Sequence, residues 1–322
     1  MSNKIKIVAG IRDSKLSKAQ TNLLIQEAYK ISDIRHSYIF DIKTIKTTGD
    51  IHNTGRLDRI GGKGLFIKEI EQQIIDQQVD IGIHSMKDVP AQEVHKDLQI
   101  VCWMQRHFND DALLSNSGKK FLDLPSGSKI GTSSIRRRAQ ILKLRKDLVV
   151  SLLRGNIDTR IKQLHAKKYD AIILSLAGLQ RLNLESNVTE VLNQDDFSPA
   201  ACQGVVGIQA HKENNFINLF SKLNNANTQI ECLAERKILK IINANCNSPI
   251  SVVSKIIKNE IEIKVQFLNH FGINLFSETY RGLKNNYDQL SETIGNEIMN
   301  ELGKKQIQQL NNLENDFDYT PA

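Results

Sequence analysis

Residues 128–182 read SKIGTSSIRRRAQILKLRKDLVVSLLRGNIDTRIKQLHAKKYDAIILSLAGLQRL, and this stretch decides the fold class. Three short apolar runs, KIG, LVVSLL and YDAIILSL, have the length and composition of buried strands. A polar loop and a helical pattern follow each run, in IRRRAQILKLR, IDTRIKQLHAKK and AGLQRL. Strands that alternate with helices in this way predict α/β layers with a largely parallel sheet.

The same alternation extends toward the N-terminus. The runs IKIVAG, SYIFDIKTI, VDIGIH and LQIVCWM read as strands, and GLFIKEIEQQIID carries a helical stripe at Phe66, Ile70 and Ile74. Ser14 stands where it can cap the helix that follows the first strand. The first two thirds of the chain are therefore predicted to be α/β.

The pattern changes near residue 230. ECLAERKILKII predicts a helix, and three strand-like runs follow it, ISVVSKII, EIEIKVQFL and NLFSETYRG. KNE predicts a hairpin turn between the first two of these strands, and a polar helical tail closes the chain. This order predicts a small α+β domain of roughly 90–100 residues.

Composition narrows the class of protein. The chain has 322 residues, of which 40% are hydrophobic and 25% charged, so we expect two or three folded domains. We find neither an apolar run long enough to span a membrane nor an export signal, and we expect a cytoplasmic protein. The formal net charge of +7 suits a polyanionic partner, while 6% aromatic residues argue against a platform for stacking single-stranded nucleic acid.

The four cysteines are Cys102, Cys202, Cys232 and Cys246. Their spacing contains no CxxC motif, so we expect reduced thiols and no metal site. Cys246 lies in NANCNSPI, in a predicted loop where a thiol could be reached. From spacing alone, both a structural cysteine and a nucleophile remain open there.

Polar and basic residues follow the predicted strands at the point where each strand ends. Ligands of open α/β sheets bind at the carboxyl ends of the strands. Hydroxyl-rich loops that open a helix offer N–H groups to an anion, and arginine binds a carboxylate at two points. The residues in these positions are Arg12, Ser14, His84, Ser85, Lys87, Asp88, Thr132, Ser133, Ser134, Arg136, Arg137, Arg138, Arg154 and Arg160. Each cluster alone could be a solvated helix start, but several at one sheet edge favour a shared cleft for a polyanion.

Asp88 differs from its neighbours because a carboxylate does not bind anions. Nearby positive charge favours its ionised form. Such a group could stabilise a cationic intermediate or transfer protons. A surface ion pair with Lys87 is the alternative.

Five segments resemble the porphobilinogen deaminase (hydroxymethylbilane synthase) family: GGKGLFIKEIE, VDIGIHSMKDVP, GTSSIRRRAQ, SLLRGNIDTRI and YDAIILSLAGLQRL. The resemblance continues to ERKILKIINANCNSPI and leaves only the C-terminal tail without a motif. It implies two α/β lobes, each like half of a periplasmic-type binding protein, and a smaller C-terminal α+β domain. The implied boundaries are residues 1–104 with a return segment 203–222, residues 105–202, and residues 223–322.

The resemblance also implies an activity. Members polymerise four porphobilinogen molecules head to tail on a covalent dipyrromethane primer. Ammonia is released at each addition, and hydrolysis then frees hydroxymethylbilane for haem biosynthesis. We therefore expect a transferase that is a cytoplasmic monomer, with porphobilinogen as substrate, no nucleic acid or membrane partner, and no metal.

The roles of the family's site residues are transferred to the residues of this chain that occupy the same places in the motifs. The resemblance implies that Cys246 bears the dipyrromethane and that Asp88 is catalytic. The implied cofactor-binding residues are Lys87, Ser134, Arg136, Arg137 and Arg160. The implied substrate-binding residues are Arg12, Ser14, Arg59, Lys63, Ser85, Arg154 and Arg181, and Arg59 stands where the family often has lysine.

Three positions depart from the family pattern. Cys202, in SPAACQGV, replaces a glycine, and it would be strained if the backbone there has positive φ. An arginine of the family is missing at Asn109-Asp110-Asp111, and Ala244-Asn245 replace two glycines before Cys246.

Two other functions compete with the enzyme. A non-enzymatic anion-binding protein of the same two-lobed fold would explain the arginines but not Asp88 or Cys246. A nucleic-acid binder would use the basic run IRRRAQILKLRK and would show steep salt dependence.

Overall fold

The computed structural model describes residues 4–48, 64, 66–92 and 95–312. In chain order the strands are β1 (Ile5–Arg12), β2 (Tyr38–Ile45), β3 (Ile81–Ser85), β4 (Leu98–Trp103), β5 (Asp111–Ser115), β6 (Lys129–Gly131), β7 (Val149–Ser151), β8 (Ala171–Ser175), β9 (Glu190–Val191), β10 (Val206–His211), β11 (Ile250–Ile257), β12 (Glu260–Leu268) and β13 (Asn274–Leu283). The α-helices are α1 (Lys15–Tyr29), α2 (Ser32–Ser37), α3 (Lys68–Ile75), α4 (Ile135–Leu144), α5 (Ile157–His165), α6 (Leu176–Arg181), α7 (Ile217–Ser221), α8 (Ala226–Ile241) and α9 (Tyr287–Asn312).

Two compact units divide the chain. The first consists of Met1–His107 with Gly204–Gln229, and the second of Phe108–Gln203 with Ile230–Ala322. Within the second unit lie both an α/β sheet and the C-terminal sheet. The division into three domains therefore stays a prediction. No helix among the described residues is long and apolar enough to cross a membrane.

The first unit is built on a five-stranded sheet in the order β2-β1-β3-β10-β4. β1 runs parallel to β2 and β3, whereas β10 is antiparallel to both of its neighbours. The alternating apolar residues of β1 and β10 pack into a core with α1 and α7, around Ile7, Leu24, Ile208 and Phe220. Residues that follow the second α/β sheet in sequence thus complete the first.

The second unit contains a sheet in the order β7-β6-β8-β5-β9. β6 is parallel to β7 and β8, and β5 is antiparallel to β8 and β9. Apolar residues cover both faces: Ile172 and Leu174 belong to one core, and Ala171 and Ile173 to the other. A sheet buried on both faces is the α/β arrangement that the apolar runs predict.

The C-terminal sheet is an antiparallel meander, β11-β12-β13, covered by α8 and α9. The three strands and the preceding helix are confirmed where the pattern predicts them. Lys258, in the predicted KNE turn, has φ of 59°. The fold class, α/β with a smaller C-terminal α+β part, is confirmed.

The expectation of largely parallel sheets is wrong for part of each α/β sheet. The parallel pairs are those that involve β1 or β6, and β5, β9 and β10 are antiparallel to their neighbours. A short continuous apolar run such as that of β5 carries no directional information, because pairing direction depends on how the chain connects it to the sheet.

Candidate active site

In the first unit, the ends of β1 and β3 lie at one edge of the sheet because the two strands are parallel. Arg12 ends β1, and Ser14 follows as the N-cap of α1, where its Oγ accepts a hydrogen bond from Ser17 N at 3.1 Å. Gln20 Nε2, on α1, donates to Ser85 Oγ at 2.7 Å. The side chains of Ser14 and Ser85, which are 71 positions apart in the printed sequence, are thus tied to one helix.

Lys87 and Asp88 lie in a single 3₁₀ turn, Met86–Asp88, directly after β3. The Met86 side chain is fully buried, and its backbone N–H donates to Val205 O at 3.0 Å, whereas Lys87 and Asp88 are exposed. A Cβ at Gly207 would lie 2.2 Å from Met86 Sδ, so only glycine leaves room for this anchor. The turn therefore presents the Asp88 carboxylate to solvent from a fixed support.

His84, next to this turn, is a structural residue. It is buried, and its Nε2 lies 3.0 Å from Gln209 Oε1, while Gln209 Nε2 donates to Glu71 Oε1 at 2.7 Å. Burial lowers the pKa of His84 to about 4, and the charge of Arg12 acts in the same direction. The imidazole is therefore neutral at physiological pH, with Nε2–H donating to Gln209.

Arg12 has a partner that the sequence pattern did not indicate. Its guanidinium carbon lies 3.9 Å from the centroid of the Phe66 ring. A cation at this distance over an aromatic face is attracted by the ring and loses part of its rotational freedom. Phe66, which the pattern assigns only to an apolar helix stripe, thus orients a predicted substrate-binding arginine.

The second unit has the corresponding edge, formed by the parallel ends of β6, β7 and β8. Ser134 follows β6 and caps α4, its Oγ accepting from Arg137 N at 3.4 Å. Arg154 follows β7, and Arg181 ends α6 after β8. Ser134 and Arg154 therefore lie in the segments that leave this edge of the sheet, and Arg181 lies one short helix further along the chain from β8.

Arg136 and Arg137 are buried and share a buried carboxylate. Arg136 Nη2 lies 2.9 Å from Asp111 Oδ2, and Arg137 Nη2 lies 2.7 Å from Asp111 Oδ1. Gln203 Nε2 donates to the same Oδ1 at 2.9 Å. Burial alone would raise the pKa of Asp111, but the two guanidinium groups outweigh burial and hold it below its usual range.

The Nη1 donors of these two arginines also bind the protein, whereas the Nε–H groups of both are buried without a hydrogen-bond acceptor among the described residues. Arg136 Nη1 donates to Ser198 O at 2.7 Å, and Arg137 Nη1 donates to Ile173 O at 2.9 Å. Sequence reasoning missed Asp111 as their partner. The available signal was charge: arginines on a helix that packs into an apolar core require a carboxylate partner where they are buried, and Asp111 begins an apolar strand.

Arg154 and Arg160 flank a turn that requires glycine. Gly155 has φ of 102°, and a Cβ there would lie 2.8 Å from Thr159 Cγ2. Arg160 Nε donates to Gly155 O at 2.7 Å, and Gln163 Nε2 donates to Arg154 O at 3.1 Å. Both arginines are half-buried, so the turn fixes their backbone while part of each side chain meets solvent.

Arg181 is another predicted binding cation whose surroundings lower its pKa. Burial lowers its pKa to about 10. The group therefore remains protonated at neutral pH, in surroundings that disfavour its charge. A carboxylate that reaches it would gain more than it would at an exposed arginine, because water screens the pair less.

Cys246 is exposed, while Cys102, Cys202 and Cys232 are buried. Its loop folds on itself: Asn245 N donates to Ser248 Oγ at 2.8 Å, and Asn247 N donates to Asn245 Oδ1 at 2.8 Å. Attachment of an external group needs an accessible sulfur. Of the four thiols, the one that the motif resemblance indicates therefore fits a covalent dipyrromethane. Arg59 and Lys63 lie outside the described residues.

The backbone at Cys202 has φ of 57°, so this position has the left-handed conformation that favours glycine. Cys202 N donates to Glu235 Oε2 at 2.6 Å, and Glu235 Oε1 accepts from Ser254 N at 2.8 Å. The ligand atoms of Cys202, Cys232 and Glu235 lie within 4.8 Å of one another and are buried. Both oxygens of the Glu235 carboxylate already accept hydrogen bonds from the backbone. The cluster therefore has a structural role, in which Glu235 links Cys202 to Ser254.

Comparison with known proteins gives the following matches. The model "Porphobilinogen deaminase, dipyromethane cofactor binding domain" matches residues 7–218, and "Porphobilinogen deaminase, C-terminal domain" matches residues 229–304. The porphobilinogen deaminase of Bacillus cereus (strain AH820) is 39% identical over 280 residues, covering 86% of this chain and 89% of that protein. The porphobilinogen deaminase of Bacillus subtilis (strain 168) is 40% identical over 279 residues, covering 86% and 88%.

Similar solved structures include extracellular and periplasmic binding proteins. The probable amino-acid ABC transporter extracellular-binding protein ytmK from Bacillus subtilis has a TM-score of 0.38 at 14% identity, over 69% of this chain and 90% of that chain. The putative periplasmic sulfonate-binding protein SsuA from Methylobacillus flagellatus KT has a TM-score of 0.39 at 13% identity, over 74% and 69%.

Proposed function

The chain belongs to the porphobilinogen deaminase family, and from this premise we propose which of its residues carry out the reaction. It is a transferase that joins four porphobilinogen molecules on a dipyrromethane cofactor and releases hydroxymethylbilane for haem biosynthesis. The alternative of an anion-binding protein without activity is not favoured. The assignments that follow concern individual side chains.

Cys246 is the attachment residue in this proposal. Its exposed thiol stands on a loop held by its own hydrogen bonds, so the sulfur is accessible and the backbone on either side of it is held in place. When bound, the dipyrromethane supplies the electron-rich pyrrole to which substrate is added. Every other assignment concerns how this chain binds substrate and moves protons.

Asp88 is the catalytic residue, and its placement is the observation that carries the mechanism. Each addition breaks the bond between the aminomethyl carbon and nitrogen of porphobilinogen, and ammonia leaves. Positive character develops on the substrate's pyrrole nitrogen, and the Asp88 carboxylate, presented by the anchored Met86–Asp88 turn, stabilises it. The same carboxylate accepts the proton that leaves the pyrrole carbon after bond formation.

The basic and hydroxyl residues bind the acetate and propionate groups of the pyrroles. We assign substrate carboxylates to Arg12, Ser14, Ser85, Arg154 and Arg181, and by resemblance to Arg59 and Lys63. Arg181 supports this assignment because it is a partly desolvated cation that stays protonated. Cation and carboxylate paired in such surroundings form charge-assisted hydrogen bonds, which are about twice as strong as neutral ones.

The cofactor carboxylates are assigned to Lys87, Ser134, Arg136, Arg137 and Arg160. Arg136 and Arg137 share the single charge of Asp111, so the three groups together leave net positive charge near the start of α4. That charge attracts an anion even though the Nη2 donors of both arginines already bind Asp111.

We also propose that the protein is a cytoplasmic monomer of three domains, without a nucleic-acid partner. None of the four cysteines, which all lie in the described part of the chain, forms a disulfide, and this suits a reducing compartment. Size-exclusion chromatography with light scattering tests the monomer. Salt-dependent retention on an oligonucleotide column would contradict the proposed absence of a nucleic-acid partner.

The decisive experiment incubates purified protein with porphobilinogen while ammonia and hydroxymethylbilane are measured. Intact mass and an aldehyde reagent for pyrroles establish whether the protein carries two covalent pyrroles. We expect one ammonia to be released for each porphobilinogen consumed, and four porphobilinogen molecules to be consumed for each hydroxymethylbilane formed. Binding of porphobilinogen without ammonia release would refute the proposal and favour the anion-binding protein.

A further inference from the structure

The last helix continues beyond the part of the chain that the family model matches. α9 is interrupted at Gly303, where φ is 73° and ψ is 148°. The C-terminal segment that follows, residues 304–312, begins where the family match ends at residue 304. Its Ile307 and Leu310 are 3% and 6% exposed and belong to the core of the C-terminal sheet. This segment is therefore packed against the domain that carries Cys246.

Asn311, near the end of this segment, joins the two sides of the Cys246 loop. Its Nδ2 donates to Ile242 O at 3.1 Å and to Asn243 O at 3.0 Å. Its Oδ1 accepts from Ser248 Oγ at 2.6 Å. One side chain, 3% exposed, thus binds the chain both before and after Cys246.

The contacts continue into the loop itself. Ser248 Oγ, which donates to Asn311, also accepts from Asn245 N at 2.8 Å. Asn245 Nδ2 in turn donates to the backbone oxygen of Asn311 at 3.1 Å. His270 Nε2 lies 3.2 Å from Leu310 O, a further buried contact of the C-terminal segment. The Cys246 loop is therefore held by the C-terminal segment as well as by the hydrogen bonds within the loop.

We propose that Asn311 is a positioning residue for cofactor attachment, acting through the loop that presents Cys246. The inference rests on the proposed attachment at Cys246. Attachment forms a bond from the Cys246 sulfur to the methylene carbon of porphobilinogen, and ammonia leaves with the thiol proton. A sulfur held in one orientation reaches that carbon more often than a sulfur on a loop with many conformations.

The test uses full-length apoprotein, prepared in cells that make no porphobilinogen. Asn311→Ala removes the amide. Asn311→Asp keeps the size and the acceptor for Ser248 but places a carboxylate oxygen against two carbonyls. Gln309→Ala, which removes an exposed amide from the same segment, is the matched control. All variants are compared at a temperature where circular dichroism shows them folded, and Ser248→Ala replaces any Asn311 variant that does not fold.

Three measurements separate positioning from a general loss of stability. Mass spectrometry gives the rate of pyrrole attachment after porphobilinogen is added. Hydrogen exchange reports protection of the amides of residues 245–248. Alkylation of the exposed thiol by a small neutral reagent reports its accessibility. We expect attachment slowed on the order of ten-fold in both Asn311 variants, with faster exchange in the loop and alkylation no slower than in the parent.

Parent-like attachment in Asn311→Ala or Asn311→Asp would overturn the inference, as would equal slowing in Gln309→Ala. If the parent gains pyrroles at another cysteine, the proposed attachment site fails instead. Hydrogen exchange of the amides of residues 245–248 would then still decide whether Asn311 fixes the loop.

Discussion

Asp111→Asn should destabilise the second unit strongly, because it removes the charge that two buried guanidinium groups share. Asp111 is 0% exposed, and the side chains of Arg136 and Arg137 are 6% and 7% exposed. The asparagine amide fits the same space. Its oxygen can accept one of the hydrogen bonds, while its NH₂ group would face another donor. Two cations then remain buried without a counter-charge.

The size of the effect follows from burial. Removing one partner of a buried ion pair costs about 3–5 kcal/mol, because the remaining charge has lost its solvation and its partner. At roughly 2–4 °C per kcal/mol for a domain of this size, Tm should fall by about 6–20 °C. Gln203, whose amide also donates to Asp111, would lose an acceptor and add to the loss.

The pH dependence has a defined sign. The pKa of Asp111 is lower in the folded protein than in the unfolded chain, since the two arginines outweigh its burial. The stabilisation is therefore fully present above the unfolded pKa of about 3.9 and is lost as pH falls through the folded value. The Tm difference between parent and variant should be constant from neutral pH to about pH 5 and should shrink below about pH 4.

The assay is thermal unfolding of the two proteins, followed by circular dichroism, with Asp147→Asn as control. Asp147 makes a two-point pair with Arg145, with distances of 2.7 and 2.6 Å, but its side chain is 39% exposed. Water can replace the lost partner there, so the control should shift Tm much less. Equal lowering of Tm in both variants, or a lowering of less than about 3 °C in Asp111→Asn, would refute this prediction. Burial of the Asp111 carboxylate would then not determine how much this ion-pair cluster stabilises the fold.

Four further predictions concern the reaction. Cys246→Ser should fold normally and lack the covalent pyrroles, and an intact mass with the adduct on another cysteine would contradict the attachment site. Asp88→Asn should retain the adduct but lose roughly 10²–10⁴-fold in turnover, with kcat affected more than KM, because an amide cannot neutralise a cationic pyrrole. Near-parent turnover in steady-state kinetics would remove Asp88 from the mechanism. Arg181→Leu should keep the adduct and stall elongation. Arg160→Leu should yield protein without cofactor, and pyrroles counted by mass before and after substrate would distinguish the two stages. Parent-like elongation in both variants would show that Arg160 and Arg181 bind neither cofactor nor substrate carboxylates.

The parts of the fold that sequence reasoning predicted are those with local causes. The strands and helices of residues 128–182 carry their own apolar periodicity, and Ser14 and Ser134 cap helices that begin at the next residue. The hairpin turn at Lys258 was visible because short strands flank it. Each of these signals lies within a few residues of the feature it specifies.

The parts that escaped prediction depend on partners far away in sequence. Asp111 binds arginines 25 and 26 positions away, and Asn311 binds Ser248 across 63 positions. Neither contact leaves a periodicity or a spacing that could be read. The role of Cys246 came from the motif resemblance, and that resemblance stops before the C-terminal segment that holds its loop.

The position of β10 has a consequence for protein synthesis. Among the described strands, β4 joins its sheet only through β10, and β10 is made about a hundred residues later, after the whole sheet formed by β5 to β9. At roughly 5–20 residues per second, the ribosome leaves β3 and β4 without their common neighbour for about 5–20 s. During that interval both strands present open edges, which other chains can pair with. The nascent chain is therefore most vulnerable to aggregation, and most dependent on chaperones, before Val206–His211 emerges.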